Sequence, residues 1–287
     1  MSFFKLPSWT KNHLFSGSKF ADLSQDEIAR LKNQIQKFSD PNPDISVVIP
    51  VWNEQDNIFR TVSSIVSNTT SLKVELIIIN NNSRDNTQQV LDELGVINYF
   101  QTLQGTPFAR QLGLEKAKGK YHLCADADTL YPPNWIDLMV DPMLKNQKVK
   151  GVYGRYSFIP PAGQNRMGFW FYELFTSVII KIRKKKREYL NTYGFNMGFE
   201  TIIGLENDGF KVAGNRKYDG VVGNDNVNEA EDGRMARIVS SKGDLVLVTH
   251  PKAKVFTSSR RLMDDGSLWQ AFIKRIKYQL SILKEFR

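Results

Sequence analysis

The hydrophobic pattern between residues 45 and 130 alternates between two kinds of segment. Continuous apolar runs, ISVVIPV (45–51) and VELIIIN (74–80), predict strands that are buried on both faces. Between them, NIFRTVSSIVS (57–67) carries apolar residues at helical spacing. Buried strands that alternate with helices indicate a parallel sheet built from right-handed crossover units. The pattern therefore predicts an α/β fold with a mostly parallel central sheet flanked by helices.

The same alternation continues to residue 130. DNTQQVLDELG (85–95) predicts a short helix, with Asp85 as the N-cap and Gly95 as the C-terminal stop. The next predicted elements are a strand at 97–102, a helix at 107–119 and a strand at 120–126. Ligands of such sheets bind beyond the carboxyl ends of the strands. Polar clusters follow three of these ends, at 52–54, 80–83 and 126–128.

The regions outside residues 45–130 have different patterns. In the N-terminal arm (1–44), LSQDEIARLKNQIQKF predicts a helix with a capping box between Ser24 and Glu27. The prolines of DPNPD (40–44) then end that helix. Residues 150–260 are more irregular, and DLVLVTHPKAKVFTSS (244–259) resembles a strand.

The C-terminal region, 261–287, is predicted as a separate basic amphipathic helix. Its apolar residues share one face, opposite Lys274, Arg275, Lys277 and Lys284. The predicted organisation is an arm (1–44), a catalytic domain (45–260) with halves 45–130 and 131–260, and this helix.

Composition adds a basic charge to an ordinary globular chain. The 287 residues are 41% hydrophobic and 24% charged, with a net charge of +9. The charge favours an anionic partner, although a basic protein without one is an equal alternative. The single cysteine, Cys124, excludes an internal disulfide and fits a reducing compartment. We expect neither a signal peptide nor a membrane span, since no apolar run reaches about 18 residues.

Asp126 and Asp128 are the strongest candidates for chemistry. They follow a predicted buried strand, and residues two apart on a strand point to the same side. Two adjacent carboxylates repel each other unless a cation neutralises them. Carboxylate oxygens suit Mg²⁺ or Mn²⁺, which usually also hold substrate phosphates. The alternative is a pair of turn residues before Tyr131-Pro132-Pro133.

Glycine-rich phosphate loops are missing from the sequence. Neither G-x-G-x-x-G nor G-x-x-x-x-G-K-[ST] occurs, so a dinucleotide fold or a P-loop would lack its phosphate cradle. A metal ion is then the natural way to neutralise a diphosphate.

The motifs together resemble the family 2 glycosyltransferases, which have the GT-A fold, over residues 45–260. The segments that carry the resemblance, in the family's order, are SVVIPVWNEQDNI, ELIIINNNSRDNT, ARQLGLEKAKGKYHLCADADTLYPPNWI, GFNMGF and EAEDGRMARIV. The resemblance implies a Rossmann-like sheet with a smaller acceptor-side region. It also implies transfer of a sugar from a nucleotide-sugar to an acceptor hydroxyl, with inversion at the anomeric carbon.

The resemblance also implies a nucleotide-sugar site. Its predicted residues are Pro50, Trp52, Glu54, Asn80, Asn82, Arg110, Asp126, Arg260 and Arg261. Trp52 stands where the family often has tyrosine, and core packing is its alternative role. Asn80 replaces an aspartate that reads the base, so the usual preference for uracil is not assumed. Arg260 and Arg261 suit a lid that clamps the diphosphate, or are two solvated arginines.

The metal, catalytic and acceptor residues follow from the same resemblance. Asp128 is predicted to bind the ion directly, with Asp126 on the ribose or on metal-bound water. Asp232 matches the family's catalytic base, and Glu231 beside it can raise its pKa by like charge. Acidic residues at a helix N-terminus are the alternative for this pair. The remaining predicted contacts are Gly194, Asn196 and Met197 for the acceptor and, weakly, His250 for the metal, where a loop histidine is the stronger alternative.

The predicted function is a metal-dependent, inverting glycosyltransferase with a glycan or lipid-linked acceptor. A retaining enzyme, a nucleotidyltransferase and a non-catalytic anion-binding protein are alternatives. A nucleotidyltransferase would need a glycine-rich N-terminal loop, and a nucleic-acid platform would interleave basic and aromatic residues; the sequence has neither. We predict a cytoplasmic protein, attached to the inner face of a membrane through 267–287 with help from 169–187. The alternative is that both segments pack on the core.

Overall fold

The computed structural model describes residues 5–161, 164, 166–184, 188–212, 230–263, 270 and 273. Its strands are β1 (Ile45–Val51), β2 (Val74–Asn80), β3 (Ile97–Phe100), β4 (Tyr121–Cys124), β5 (Thr129–Leu130), β6 (Val149–Gly154), β7 (Tyr156–Ile159), β8 (Met197–Glu200), β9 (Asp244–Val248) and β10 (Val255–Ser258). In these residues a seven-stranded sheet has the order β3-β2-β1-β4-β8-β6-β9, and a three-stranded sheet has the order β5-β10-β7.

Helices cover the large sheet and connect its strands. They are α1 (Lys11–Leu14), α2 (Gln25–Gln36), α3 (Ile58–Val66), α4 (Thr87–Leu94), α5 (Thr106–Lys116), α6 (Trp135–Lys145), α7 (Met167–Lys184), α8 (Thr201–Glu206), α9 (Glu231–Lys242) and α10 (Arg260–Met263). The predicted α/β class, with a mostly parallel sheet between helices, is confirmed.

The parallel strands β1, β2 and β4 bring their carboxyl ends to one edge of the sheet. Val51 pairs with Asn80, and Val48 pairs with Cys124. The loops that follow these strands therefore lie side by side, as the sequence predicts. Strand β8 is antiparallel to both of its neighbours, β4 and β6, and places Met197 opposite Cys124.

The N-terminal arm belongs to the main hydrophobic core. Helix α2 begins with the predicted capping box, in which Ser24 and Glu27 bond each other's backbone N–H groups. It buries Ile28, Leu31 and Ile35 in the same cluster as the side chains of β1. At the predicted boundary, residue 44, the chain passes from the arm to strand β1, and the two sides of the boundary share one hydrophobic core.

The segment 244–259 differs from the single strand-like stretch that the pattern indicates. It forms β9 in the large sheet and β10 in the small one, separated by a 3-10 turn at Pro251–Ala253. Proline has no N–H for a sheet hydrogen bond, so the turn divides the segment there.

The short helix α4 begins later than the sequence predicts. Asn86, and not Asp85, is its N-cap residue. The carboxylate of Asp85 still accepts a hydrogen bond from the backbone N–H of Thr87, at 3.0 Å. Gly95 ends the helix with a φ of +68°, as predicted from glycine's freedom in the left-handed region.

Two segments, 169–187 and 267–287, are predicted from the sequence to contact a membrane. Among the helices of the described ranges, none has the length and apolarity needed to cross a bilayer. The predicted helix at 267–287 lies outside the described residues, apart from Gln270 and Ile273. The other predicted segment, 169–187, falls largely on α7, which runs from Met167 to Lys184.

Candidate active site

An open cleft lies at the carboxyl ends of β1, β2 and β4. It encloses about 460 Å³, including space that is open to solvent. Its lining residues are Pro50, Val51, Trp52, Glu54, Asn81, Thr106, Asp126, Ala127 and Asp128. The structure thus brings both carboxylates of the predicted metal motif to the same cleft as three residues of the predicted nucleoside pocket.

The two sheets hold the carboxylate pair between them. Asp128 accepts a backbone hydrogen bond from Ser258 of β10, at 3.0 Å. The backbone N–H of Asp126 donates to the hydroxyl of buried Tyr131, at 2.9 Å, and that hydroxyl donates to the carbonyl of Phe195, also at 2.9 Å. The predicted metal motif is therefore fixed to both the small sheet and the segment before β8.

Arg110 connects the carboxylate pair to the predicted catalytic acids. Its guanidinium lies 2.6 Å from Asp126 Oδ1 and 3.8 Å from Glu231 Oε1. The side chain is buried, at 4% exposure, so we expect it to act on substrate through these acids. Gly194 packs against it so closely that an added Cβ would lie 2.5 Å from the guanidinium. A side chain at position 194 would therefore displace the guanidinium from its place beside Asp126 and Glu231.

The carboxylate of Asp232 lies at the start of α9. It accepts hydrogen bonds from the backbone N–H groups of Gly194, at 3.1 Å, and Gly233, at 2.8 Å. Burial, followed by repulsion from Glu231, raises its pKa from 3.8 to about 6, while Arg110 and the two N–H groups act in the opposite direction. A carboxylate with this pKa is suited to accept a proton near neutral pH.

Arg260 reaches the cleft from the first residue of α10. Its guanidinium pairs with the carboxylate of Glu54 and lies 3.9 Å from Asp128 Oδ2. Glu54 is held in place by the side-chain amide of Asn57, at 2.6 Å. Arg261 follows in α10, and its side chain is outside the described part of the structure.

Mg²⁺ or Mn²⁺ fits the residues of the cleft. Asp126 and Asp128 offer the hard oxygen ligands that these ions prefer, and substrate phosphates and water can complete the shell. The cationic group of Arg260 lies against Glu54 and Asp128, as expected where carboxylate charge needs a counter-charge. Within the described residues, no group of three or more metal-binding side chains is found.

His250 is not brought to the carboxylate pair. Its exposed side chain accepts a hydrogen bond from the backbone N–H of Lys252, at 3.2 Å. It precedes β10, whereas Asp128 contacts Ser258 at the other end of that strand. The structure therefore favours the loop-histidine alternative for this residue.

Asn80 is not free to contact a base in this structure. It is fully buried, its side-chain N–H₂ donates to Gln88 Oε1 at 2.7 Å, and its Oδ1 accepts from the N–H of Ser83 at 3.1 Å. The structure thus gives it a role in holding the loop after β2. Asn82 lies in this loop with a φ of +59°, and Asn81 lines the cleft.

Two of the predicted acceptor contacts are also enclosed by the protein. Asn196 Oδ1 accepts from Trp135 Nε1 at 2.8 Å, and its N–H₂ donates to the carbonyl of Arg155 at 2.9 Å. Met197 is buried in β8. Neither side chain presents a group to an acceptor, whereas Gly194 contacts both Arg110 and Asp232.

Three residues of the site were not among the site residues predicted from the sequence. Thr106 and Asn81 line the cleft, and Tyr131 holds Asp126 through its hydroxyl. The dipeptide Thr106-Pro107 at a predicted helix start is a signal that was present, because α5 begins at Thr106 and a helix N-terminus is suited to bind an anion. Tyr131 carries no comparable signal.

Comparison with protein families and curated proteins gives a consistent result. A family model for Glycosyl transferase family 2 matches residues 46–203. Glycosyltransferase AglE of Haloferax volcanii is 27% identical over 157 residues, which make up 52% of this chain and 51% of AglE. The glucosyl-dolichyl phosphate glucuronosyltransferase of the same organism is 25% identical over 248 residues, or 81% of this chain and 76% of that protein. The chain thus matches about half the length of AglE.

Solved structures share the fold. Residues 1–349 of Staphylococcus aureus TarS, in complex with UDP, align with a TM-score of 0.52 and 15% identity, covering 75% of this chain and 60% of that one. The Pyrobaculum calidifontis mannosyltransferase PcManGT, in complex with GDP-Man and Mn²⁺, aligns with a TM-score of 0.51 and 16% identity, covering 88% and 71%.

Proposed function

The chain belongs to glycosyl transferase family 2 and has the GT-A fold, and from this premise we propose that it transfers a sugar from a nucleotide-diphospho-sugar to an acceptor hydroxyl by metal-dependent displacement with inversion. One observation carries the proposal. The carboxylate pair in the donor cleft and the acids at the start of α9 are joined through Arg110, which contacts both Asp126 and Glu231. The proposed donor site and the proposed base are therefore neighbouring parts of one site.

Asp232 is the proposed general base. Its carboxylate takes the proton from the acceptor hydroxyl, whose oxygen then forms the bond to the anomeric carbon as the bond to the diphosphate oxygen breaks. Attack from the face opposite the leaving group inverts the anomeric centre. The two backbone N–H groups from Gly194 and Gly233 orient the carboxylate and leave its remaining lone pairs for the acceptor.

Asp126 and Asp128 are the proposed holders of the divalent ion. When bound, Mg²⁺ or Mn²⁺ neutralises charge that develops on the leaving diphosphate. Arg260 is already in contact with Asp128 and Glu54, so its guanidinium is within reach of a diphosphate in this cleft. A planar guanidinium can grip phosphate oxygens with two hydrogen bonds, which suits this role. Trp52 and Pro50 line the same cleft and are proposed to contact the nucleoside.

A lipid-linked or polysaccharide acceptor is the proposed class. Support comes from relatives, because the glucuronosyltransferase of Haloferax volcanii acts on glucosyl-dolichyl phosphate, as its name states. Another relative, the poly-beta-1,6-N-acetyl-D-glucosamine synthase of Staphylococcus epidermidis, is 31% identical over 115 residues, or 38% of this chain and 28% of that protein. We propose no particular base or sugar for the donor, because Asn80, the residue predicted to contact the base, is buried.

A donor and acceptor screen tests the proposal. UDP-, GDP- and dTDP-sugars are supplied with Mn²⁺ and either polyprenyl-phosphate sugars or oligosaccharides, and the released nucleotide is identified. We expect a nucleoside diphosphate together with a glycosylated product whose anomeric configuration, determined by NMR, is inverted relative to the donor. Retention at the anomeric carbon would contradict the displacement mechanism. In a parallel incubation with nucleoside triphosphates and a sugar 1-phosphate, release of pyrophosphate with formation of a nucleotide-sugar would instead support a nucleotidyltransferase.

A further inference from the structure

The hydroxyl of Tyr131 joins two segments of the chain that meet at the proposed active site. The side chain of Tyr131 is fully buried. The backbone N–H of Asp126 donates to this hydroxyl at 2.9 Å, and the hydroxyl donates to the backbone carbonyl of Phe195 at 2.9 Å. A backbone N–H only donates and a carbonyl only accepts, so the direction of both hydrogen bonds is fixed. We refer to these two hydrogen bonds as the Tyr131 bridge.

The backbone of residues 194–195 extends this connection to the proposed base. Phe195 follows Gly194, whose backbone N–H donates to Asp232 Oδ2 at 3.1 Å. Asp126, at one end of the Tyr131 bridge, is a proposed ligand of the divalent ion. Asp232, beyond the other end, is the proposed base. The two proposed functional groups are therefore connected through buried hydrogen bonds and one short piece of backbone.

The position of Tyr131 is itself fixed by its surroundings. Its backbone N–H donates to Ser64 Oγ of α3 at 3.0 Å, and its ring packs against Trp135, with the ring centroids 4.4 Å apart. Trp135 Nε1 in turn donates to Asn196 Oδ1 at 2.8 Å. Tyr131 and Trp135 thus hold two consecutive residues, Phe195 and Asn196, in the segment before β8. A tyrosine held in this way acts as a rigid spacer.

Arg110 makes a second connection between the same two regions, and it does so by charge. Its guanidinium contacts the side-chain carboxylates of Asp126 and Glu231, so it shares Asp126 with any divalent ion that binds there. The Tyr131 bridge contacts backbone atoms only. It is therefore made without the carboxylate that an ion would bind.

We propose that Tyr131 is a positioning residue whose hydroxyl sets the separation between the proposed metal site and the proposed base, a role that rests on the proposed function of both groups. Displacement requires the acceptor oxygen, the anomeric carbon and the leaving oxygen to be aligned, and a misplacement of about 1 Å can cost about 10²-fold in rate. Asp126 and Asp128 place the donor, and Asp232 places the acceptor hydroxyl. The Tyr131 bridge keeps these two groups at a fixed separation.

Tyr131→Phe tests this role, because it removes the hydroxyl and keeps the ring. The matched control is Ser46→Ala. The Ser46 hydroxyl is also fully buried, accepts from the backbone N–H of Gly119 at 2.8 Å and donates to Glu75 Oε1 at 2.6 Å. It lies near the amino end of β1, whereas the cleft lies at the carboxyl end. Both variants lose a buried hydroxyl that bridges two partners, but only Tyr131→Phe loses the bridge that reaches the site.

Carboxyl-carbon NMR titration of the substrate-free protein is the first measurement, with the Asp232 signal identified by its loss in Asp232→Asn. The backbone N–H of Gly194 lowers the pKa of Asp232. Loss of the Tyr131 bridge releases the segment that carries this N–H, so we expect the pKa of Asp232 to rise in Tyr131→Phe and to stay unchanged in Ser46→Ala. A rise of roughly 0.5 is expected from weakening one hydrogen bond.

Steady-state kinetics is the second measurement, with the donor and acceptor that the screen identifies. We expect kcat of Tyr131→Phe to fall by about 10–100-fold relative to Ser46→Ala, with the donor KM changed by less than about threefold. A purely structural role would lower the melting temperature of both variants and leave kcat and the pKa of Asp232 the same in the two.

Two results would overturn the positioning role of Tyr131. One is an equal pKa of Asp232 in the wild type and Tyr131→Phe, and the other is equal kcat in Tyr131→Phe and Ser46→Ala. Absence of sugar transfer by the wild type would contradict the proposed function instead, and the NMR titration, which needs no substrate, would still decide whether the bridge positions Asp232. Circular dichroism melting checks folding. If Tyr131→Phe does not fold, Ser64→Ala replaces it with the same expectations, because it removes the acceptor of the Tyr131 N–H.

Discussion

At the scale of single residues, the surroundings of Asp232 set its proposed chemistry. Burial and the neighbouring Glu231 disfavour its charge, and Arg110 and two backbone N–H groups restore part of it. The resulting pKa of about 6 lies above the ordinary 3.8. A base works in its unprotonated form, so protonation as the pH falls through about 6 should remove activity.

Asp232→Asn tests this residue. We expect turnover to fall by about 10²–10⁴-fold, the range for loss of a general base, with donor affinity nearly unchanged. In the wild type, turnover should decrease below about pH 6, and the residual activity of Asp232→Asn should lack that decrease. Steady-state kinetics from pH 5 to 8, with calorimetry for donor affinity, measures both. Near-normal turnover of the variant would show that another group is the base.

Arg110 offers a test of the link between the proposed metal site and the proposed base. Arg110→Met leaves Asp126 and Glu231 without their shared cation, so we expect a loss of stability of about 3–5 kcal/mol, as for a broken buried ion pair. Since Arg110 lowers the pKa of Asp232, the acid limb of the turnover profile should also move to higher pH. Arg110→Lys keeps the charge and should recover part of both.

Denaturant unfolding and pH profiles of the same variants measure these effects. Lys145→Met is the control, because it removes an exposed ion pair with Asp141 that contributes little to stability. An unchanged pH profile in a folded Arg110→Met protein would mean that Arg110 acts only in packing.

Single residues also differ in how much of their role can be predicted from the sequence. The position of Asp126 and Asp128 after an apolar strand was enough to place them at the cleft. The same reasoning could not tell that Asn80 bonds Gln88 and Ser83, or that Asn196 bonds Trp135, because these partners depend on side-chain packing between distant segments. The end of a strand can be predicted from neighbouring residues. The hydrogen-bond partners of a buried amide come from distant segments, so they are known only from the folded structure.

At the scale of elements, α10 connects the small sheet to the cleft. It begins two residues after Ser258, which bonds the backbone of Asp128, and it carries Arg260 over Glu54. We therefore expect Arg260 to compete with a metal ion when no donor is bound and to contact the diphosphate when one is.

Arg260→Ala separates these two roles. In the absence of donor, Mn²⁺ should bind more tightly by up to about fivefold, since a half-exposed ion pair contributes roughly 0.2–1 kcal/mol. With donor present, KM should rise because a diphosphate contact is lost. Calorimetric Mn²⁺ titration and donor kinetics measure the two effects, with the exposed Lys252→Ala as the control. Weaker Mn²⁺ binding by the donor-free variant would contradict the competition.

Elements differ in how well their sequence predicts them. Helix α2 and strands β1 and β2 were predicted because capping residues and continuous apolar runs are local signals. The division of 244–259 into β9 and β10 was not, because apolar residues on both sides of Pro251 fit one strand or two. Only the pairing of β9 with β6 and of β10 with β7 separates them.

At the scale of the whole molecule, one core holds together the arm, the parallel strands and the segment that carries the carboxylate pair. Residues of α2, β1 and Tyr131 lie in the same buried cluster. The motifs predicted the fold and the location of the cleft because strand order in a parallel sheet brings carboxyl ends to one edge. The contacts across that edge, such as Arg110 with Glu231, join residues far apart in the chain and required the structure.

The proposed function depends on a nucleotide-sugar donor that binds in this cleft through a divalent ion on Asp126 and Asp128. Calorimetric titration of the wild type and of Asp128→Ala with UDP, GDP and dTDP, in Mn²⁺ and in EDTA, measures this binding. We expect at least one nucleoside diphosphate to bind to the wild type in Mn²⁺, and we expect EDTA or Asp128→Ala to largely abolish this binding. Equal affinity in Mn²⁺ and EDTA, or undiminished affinity in Asp128→Ala, would contradict it.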